Sequence, residues 1–162
     1  MALKAKNRAS TTAGKKKRKT GIPTGNAGEY FVMGELLRRG FDAQLADRNT
    51  KGYDILVARP EADAEFHRVQ VKTVRAQPWY VKQASFKDGP LLDQITVYVL
   101  LGREDAKSQI RYFIAPNRDV AGRVHVPATG TWQNNAFMPL KAIEDYEDCW
   151  DLLFGEEKLT SG

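Results

Sequence analysis

The chain has 162 residues, the usual length of a single folded domain, which excludes a large multidomain enzyme and a long repeat array. Hydrophobic residues make up 42% of it, enough for one packed core, so a fully disordered chain is excluded as well. The single cysteine, Cys149, excludes an intrachain disulfide framework and a cysteine-rich zinc site. Because the sequence contains neither an apolar stretch of membrane-spanning length nor the apolar segment of a secretory signal, we expect a cytoplasmic protein that does not enter a membrane.

The positive charge is concentrated at the N-terminus. The formal net charge is +5 at pH 7, but residues 1–20 hold eight of the 25 basic side chains and none of the 20 acids, so the rest of the chain carries a net −3. We therefore expect a disordered basic tail over residues 1–22, one folded domain over residues 23–157, and a short C-terminal tail over residues 158–162. The basic cluster of the N-terminal tail would contact phosphate groups without reading sequence, through Lys15, Lys16, Lys17, Arg18 and Lys19. The alternative is a solubilising leader, or one added for expression.

Apolar residues at helical spacing predict a first helix over residues 27–39, with Asn26 as its N-cap and Gly40 at its end. Alternating or continuous apolar runs then predict strands. These strands cover residues 41–46, 53–58, 67–74, 95–101 and 111–115.

The connections between these segments predict the fold class. Turn-forming residues at 60–65 indicate that the second and third strands form a hairpin, and the nearly all-apolar run at 95–101 is typical of a strand covered on both faces. Residues 77–90 are predicted to be irregular, with a short helix near residues 117–121 and a closing helix over residues 140–154. This order of elements predicts a single α/β domain in which helices flank a mixed central β-sheet.

Four polar side chains occupy positions where apolar ones are expected. Glu29 lies on the apolar face of the first helix, where a carboxylate needs a partner or a metal ion. Asp54 lies at the start of the second strand, and Gln70 and Lys72 are two residues apart on the third, so these two share a face. Pairing of the two strands in a hairpin would bring Asp54 beside Gln70 and Lys72.

Such a set of polar groups suits metal-assisted cleavage of phosphodiesters. Mg²⁺ prefers carboxylate, amide and backbone carbonyl oxygens, so we expect Asp54 to be the principal ligand, helped by the Gln70 side-chain oxygen and the Val71 carbonyl. Glu29 would bind the metal ion, or a water on it, from the helix side. Lys72 would stabilise the attacking hydroxide or the negative charge at phosphorus. The expected cofactor is Mg²⁺ or Mn²⁺.

An acid on the first helix followed by an Asp–(x)n–(E/Q)xK pattern over a hairpin resembles the PD-(D/E)xK nuclease superfamily. The segments GNAGEYFVMGELLRRGFDA, GYDILV and RVQVKTV are most similar to its Holliday-junction resolvases and modification-dependent restriction endonucleases. The resemblance implies a restriction-endonuclease-like domain. It places Glu29, Asp54, Gln70 and Lys72 at the family's helix acid, metal-binding Asp, second ligand and catalytic Lys.

The resemblance covers about residues 25–75 and has two departures from the family pattern. Tyr53 replaces the Pro that names the motif, and Gln70 stands where most members have an acid, which removes one negative charge from the metal site. The implied function is that of a metal-dependent endonuclease acting on DNA, including branched or otherwise structured DNA, as a homodimer or with a recognition partner. Gln70 keeps open an alternative, a nuclease-fold nucleic-acid-binding subunit with weak or no catalysis. A further alternative is a protein unrelated to nucleic acids.

Each of the four polar residues also has a purely structural interpretation. Asn26 and Glu29 have the spacing of a helix capping box. Asp54 is also explained as a turn carboxylate, while Gln70 and Lys72, taken singly, are more often solvent-facing strand residues. Only the combination of all four favours a functional site.

The remaining basic and aromatic residues are weaker candidates. Trp79 and Tyr80 would either stack on unpaired bases or fill the core, whereas Trp132 is expected in the core. The two histidines lack ligand spacing, and Cys149 is expected to be a packed thiol. Basic residues that would hold phosphates, each also explained as a solvated surface charge, are Arg48, Lys51, Arg75, Lys82 and Lys87.

Overall fold

The computed structural model describes residues 21–47, 49–60, 66–103, 107–128 and 135–154. The predicted positions Lys15, Lys16, Lys17, Arg18, Lys19, Arg48 and Trp132 lie outside these residues. The helices are α1 (Ile22–Arg38) and α2 (Asn117–Val120), and the strands are β1 (Asp42–Leu45), β2 (Ile55–Ala58), β3 (His67–Val74), β4 (Trp79–Lys82), β5 (Ile95–Leu100), β6 (Arg111–Pro116) and β7 (Asn135–Met138). In the described ranges no helix has the length and apolar character needed to cross a bilayer.

Helix α1 begins one turn earlier than the sequence pattern predicts. Gly21 is its N-cap, Pro23 stands in its first turn, and the Gly25 backbone N–H donates to the Gly21 carbonyl at 3.0 Å. Pro is favoured there because its fixed φ suits the helix and no N–H bond is lost. Asn26 is therefore inside the helix, and the predicted N-cap and capping box are wrong. The predicted end is confirmed by Gly40, whose φ of 85° few other residues adopt.

The central sheet is mixed, as predicted, with the strand order β1-β2-β3-β5-β6. The predicted hairpin is confirmed, because β2 pairs antiparallel with β3 and Ile55 lies opposite Val69. Strand β3 then pairs in parallel with β5, and β5 pairs antiparallel with β6. Strand β3 thus lies at the centre of the sheet, with neighbours on both sides. The side chains of β3 have strands on either flank, and those of Val69 and Val71 are buried.

Two hydrophobic clusters cover the two faces of the sheet. On one face, Val32 and Leu36 of α1 pack against the strands together with Trp150 and Leu153 of the C-terminal segment. The other face is covered by β4, β7 and the segment that follows β7. Strand β5 is buried on both faces, as its apolar sequence predicts. The strand residues in the first cluster are Ala43, Ile55, Val57, Val69, Val71, Val97, Val99 and Ile114.

The segment 77–90 contains a strand that the sequence pattern does not reveal. Strand β4 pairs antiparallel with β7, with Trp79 opposite Met138, so the prediction of an irregular segment is wrong. Trp79 is fully buried and its indole N–H donates to the Val99 carbonyl at 3.2 Å, whereas Tyr80 is 61% exposed on the opposite side. Of the two interpretations offered for this aromatic pair, Trp79 takes the core position and Tyr80 does not.

The C-terminal segment forms three short 3-10 turns instead of the predicted closing helix. The turns are Leu140–Ala142, Glu144–Tyr146 and Trp150–Phe154. Asp148 lies between them with a φ of 53°, and its backbone N–H donates to the Tyr112 carbonyl at 3.0 Å. Bonding to β6 therefore replaces the bonds that a continuous helix would make. Cys149 is consequently a partly buried residue between two turns, not part of a helix.

Candidate active site

Asp54 is held rigidly at the residue before β2. Its backbone N–H donates to the Val69 carbonyl at 2.9 Å, and its carbonyl accepts from the Ala46 N–H at 2.8 Å. The residue is thus tied to β3 on one side and to the end of β1 on the other. These bonds fix the direction of its half-buried side chain.

The Asp54 carboxylate reaches across the hairpin to β3. Its Oδ2 accepts a hydrogen bond from the Val71 backbone N–H at 2.7 Å and another from the Gln70 side-chain amide. The alternation of β3 places Val69 and Val71 in the core against α1, so Gln70 and Lys72 face the other side of the sheet. The structure therefore brings Asp54 and Gln70 into direct contact.

Lys72 lies in a sheltered environment, where two carboxylates, Asp54 and Glu29, influence it electrostatically. Burial lowers the pKa of its ammonium group, while the charges of Asp54 and Glu29 oppose that shift and the charge of Lys82 adds to it. Lys72 lines a cavity of about 100 Å³ together with Gln70 and Lys82. A desolvated ammonium interacts more strongly with an incoming anion than a solvated one does, because the local dielectric is low.

Glu29 is brought to the site by the close approach of α1 to β3. The preceding residue, Gly28, is buried against Thr73, and a Cβ at this position would lie 1.8 Å from the Thr73 Oγ1. Glu29 and Asp54 line the same cavity of about 220 Å³, and Tyr53 lines it as well. A helix residue and a residue of the hairpin thus contribute acids to one cavity.

The donor set fits a hard divalent cation. The Gln70 amide N–H₂ group lies between two oxygens, the Asp54 Oδ2 and the Val71 carbonyl, the latter at 3.5 Å. Two oxygens that converge on one hydrogen-bond donor could also converge on a cation, and half a turn of the amide would present the Gln70 Oε1 there as well. Glu29 supplies a second carboxylate. The described residues contain no group of three His, Cys, Asp or Glu side chains placed to hold a metal, so any metal site there has only two acids.

The other predicted basic residues lie at different distances from this centre. Lys82 lines the cavity of Lys72, and Lys51 lies two residues before Tyr53 in the loop leading to Asp54. Arg75 follows the end of β3 and Lys87 follows the turn after β4; both are exposed, and neither lines the two cavities described above. The structure thus brings Lys82 to the cavity of Lys72, whereas Lys51, Arg75 and Lys87 line neither of these two cavities.

The sequence did not predict a set of hydrogen bonds between polar side chains that supports the site. The Gln94 amide donates to the Gly52 carbonyl and so ties the loop before Asp54 to the residue before β5. Behind it, the buried Thr96 hydroxyl contacts the Asn117 Oδ1 at 2.8 Å, and the Asn117 amide donates to the Leu91 carbonyl at 2.8 Å. The sequence signal was Gln94, a polar residue directly before the apolar strand β5. A sequence alone does not distinguish such a residue from an ordinary strand boundary.

The chain is similar to known proteins in structure and not in sequence. No family model matches the sequence, and no curated protein matches it either. Among solved structures, this chain is similar to a Holliday junction resolvase from Archaeoglobus fulgidus, with 15% identity and a TM-score of 0.47 over 74% of this chain and 87% of the other. It is also similar to a bacterial homing endonuclease, with 15% identity and a TM-score of 0.49 over 83% of this chain and 93% of the other.

Proposed function

We propose that the protein is a metal-dependent endonuclease that hydrolyses phosphodiester bonds in DNA. The observation that carries this proposal is the direct contact of Asp54 with Gln70, which shares one face of the central strand β3 with Lys72. Glu29 of α1 lines a neighbouring cavity together with Asp54. A purely structural role explains each residue singly but offers no reason for a desolvated ammonium and an amide bonded to a carboxylate to share one face of a central strand.

Each residue has a distinct role in this proposal. Asp54, the Gln70 amide oxygen, the Val71 carbonyl and Glu29 would hold Mg²⁺ or Mn²⁺. The ion supplies Lewis acidity and lowers the pKa of a bound water. Lys72 offsets negative charge at phosphorus, an effect strengthened because its ammonium is already desolvated. Glu29, which lines the same cavity as Asp54, would orient the attacking water or accept a proton from it.

Cleavage assays on paired variants test the proposal. We expect Asp54→Asn and Lys72→Met to abolish Mn²⁺-dependent cleavage of plasmid DNA, because the first loses the ligand charge and the second the ammonium. Asn at position 54 keeps an oxygen that can accept the Val71 N–H bond, so folding is preserved. The matched controls are Asp42→Asn on β1 and Lys141→Met near the C-terminus, both exposed, which should cleave as the unsubstituted protein does. Equal cleavage by site and control variants would refute the assignment.

Gln70→Glu tests the metal site without relying on activity. Without metal, a second carboxylate beside Asp54 places two like charges together and should lower the melting temperature. Added Mn²⁺ should then raise the melting temperature of Gln70→Glu more than that of the unsubstituted protein, since the ion binds the folded state and the site has gained a charge. A metal-induced shift of the same size in both proteins would contradict ligation at Gln70.

One observation favours a second candidate function, a DNA-binding subunit without catalysis. The Gln70 amide already satisfies the Asp54 carboxylate, so this pair is stable without a metal ion. Binding of DNA with no cleavage in Mg²⁺ or Mn²⁺, and no effect of either ion on the melting temperature, would establish this alternative.

The expected assembly is a homodimer or a complex with a recognition partner, as the family resemblance implies. The described domain is small relative to a DNA duplex, and the proposed active site lies on one side of it. Sedimentation with and without duplex DNA would measure the stoichiometry; one monomer per cleaved duplex would exclude an obligate dimer.

A further inference from the structure

A third cavity, larger than the two described above, adjoins the proposed active site. It has a volume of about 450 Å³ and opens beside the first residues of the parallel strands β3 and β5, His67 and Ile95. It shares Gly52, Leu91 and Gln94 with the cavity that contains Lys72. The bonded pair of Gln94 and Gly52 therefore forms the boundary between the two spaces. We refer to this larger cavity as the aromatic cleft.

The aromatic cleft exposes apolar surface that the fold has no need to expose. Phe66 is 48% exposed at its wall and Leu91 is 36% exposed, and the Tyr53 ring lines it as well. Large apolar side chains concentrated in a concave region mark a binding site more often than a packing defect, because leaving them in water is unfavourable. A flat apolar group bound in the cleft would shield these rings from water and would itself be shielded by them.

The charges around the aromatic cleft are suited to an anion. Lys51 and Arg68 line it, and the Arg68 guanidinium lies 5.3 Å from the centre of the Tyr53 ring. The acid in the lining, Asp93, accepts hydrogen bonds from the Arg118 guanidinium, so its charge is offset. The cleft thus combines aromatic faces with cationic groups, which is the combination that proteins use to bind unpaired nucleotides.

We propose that the aromatic cleft receives one unpaired nucleotide of the DNA substrate, next to the phosphodiester bond that is cut. The base would lie against Phe66, and the phosphate attached to it would contact Lys51 and Arg68. A base within a duplex is stacked on both sides and cannot enter, so the nucleotide must be extrahelical or single-stranded. This inference rests on the proposed function and narrows its substrate class to DNA containing an unpaired base.

Binding measurements on three matched DNA duplexes test the proposal. The first duplex is fully paired, the second carries one extra unpaired adenosine, and the third carries an abasic nucleotide at the same extra position. Fluorescence anisotropy in EDTA measures binding without cleavage. We expect the duplex with the unpaired base to bind roughly fivefold to tenfold more tightly than either of the others, because only this duplex offers a base to stack.

Three protein variants test whether Phe66 causes the preference for the unpaired base. Phe66→Ala should remove the preference for the unpaired base, and Phe66→Trp, which keeps an aromatic face, should retain it. Phe31→Ala is the matched control, because Phe31 is 44% exposed on α1 and away from the cleft. Phe66 is half exposed, so its truncation leaves the core intact.

The outcomes separate this inference from the proposed function. Equal binding of the abasic and base-containing duplexes, or an equal loss of affinity for all three DNAs in Phe66→Ala, would overturn the inference while Asp54-dependent cleavage of paired DNA still supported the nuclease. Failure of the unsubstituted protein to bind any of the three duplexes in EDTA would overturn the inference, and absence of Mn²⁺-dependent cleavage as well would overturn the proposed function.

Discussion

Gly28→Ala should move α1 away from β3, which tests whether close packing of the helix on the sheet positions Glu29. A Cβ on Gly28 would lie 1.8 Å from the Thr73 Oγ1 and 2.7 Å from the Thr73 Cβ. Rotation about χ1 displaces the hydroxyl but not the Cβ, so the backbone itself must shift. Since Glu29 is the next residue, the shift carries its carboxylate away from Asp54.

Two opposing effects determine how much Gly28→Ala changes the free energy of unfolding. Replacing Gly by Ala inside a helix stabilises by about 1 kcal/mol when space is available, whereas overpacking costs about 1–3 kcal/mol. Gly34→Ala isolates the first term, because Gly34 lies in the same helix with nothing within 4 Å of the added Cβ. The free energy of unfolding of Gly28→Ala should therefore fall below that of Gly34→Ala by about 1–3 kcal/mol, or very roughly 4 °C in melting temperature for each kcal/mol.

A double variant and an activity assay complete the test. Thr73→Ala removes two of the three clashing atoms and a hydroxyl that is buried without a hydrogen bond among the described residues, so Gly28→Ala/Thr73→Ala should regain part of the lost stability. Urea unfolding measures stability, and plasmid cleavage measures activity. Equal stabilisation by Gly28→Ala and Gly34→Ala, or strict additivity in the double variant, would refute the close packing of α1 on β3.

Three further outcomes are expected. Lys72→Met should leave the melting temperature unchanged or raise it while abolishing cleavage, because burial disfavours the ammonium; a large drop in melting temperature would indicate a structural role instead. Glu147→Gln should lower stability by roughly 0.5–1 kcal/mol at neutral pH through loss of the paired bonds from Arg111. Because these bonds lower the folded-state pKa of Glu147, its contribution is present above the unfolded carboxyl pKa and disappears as pH falls through the folded value, so urea unfolding of the two proteins should converge in acid. Deleting residues 1–20 should flatten the salt dependence of DNA binding, measured by anisotropy, and leave the cleavage chemistry intact; an unchanged slope would exclude a phosphate-binding tail.

The parts of the fold that could be predicted from sequence are those set by neighbouring residues. Strand β3 was predicted with its observed bounds because its apolar residues alternate and a turn precedes it. The hairpin followed from the same local signals, and with it the position of Asp54 relative to Gln70. Local information was sufficient here because only a few residues separate the two strands.

The parts that could not be predicted depend on partners distant in the chain. Strand β4 has four residues, and its partner β7 begins more than fifty residues later, so no local pattern distinguishes it from a loop. In the C-terminal segment, apolar residues at helical spacing suggested a helix, but Glu147 forms a bridge with Phe113 and Asp148 bonds to β6. Tertiary hydrogen bonds overrode helical periodicity at that point.

The difference between local and long-range information also affects how strongly the candidate site is supported. Taken singly, Gln70 and Lys72 were also explained from the sequence as solvent-facing strand residues, because the sequence does not show that β3 lies in the centre of the sheet. The strand order makes them unusual: in the parallel register with β5 they stand beside Thr96 and Tyr98, both buried. A central strand that presents an amide and an ammonium to a sheltered face loses stability that apolar residues would provide. Such a loss is expected where a site must hold charge ready for a ligand, which is why strand order, more than the motif, favours a functional interpretation.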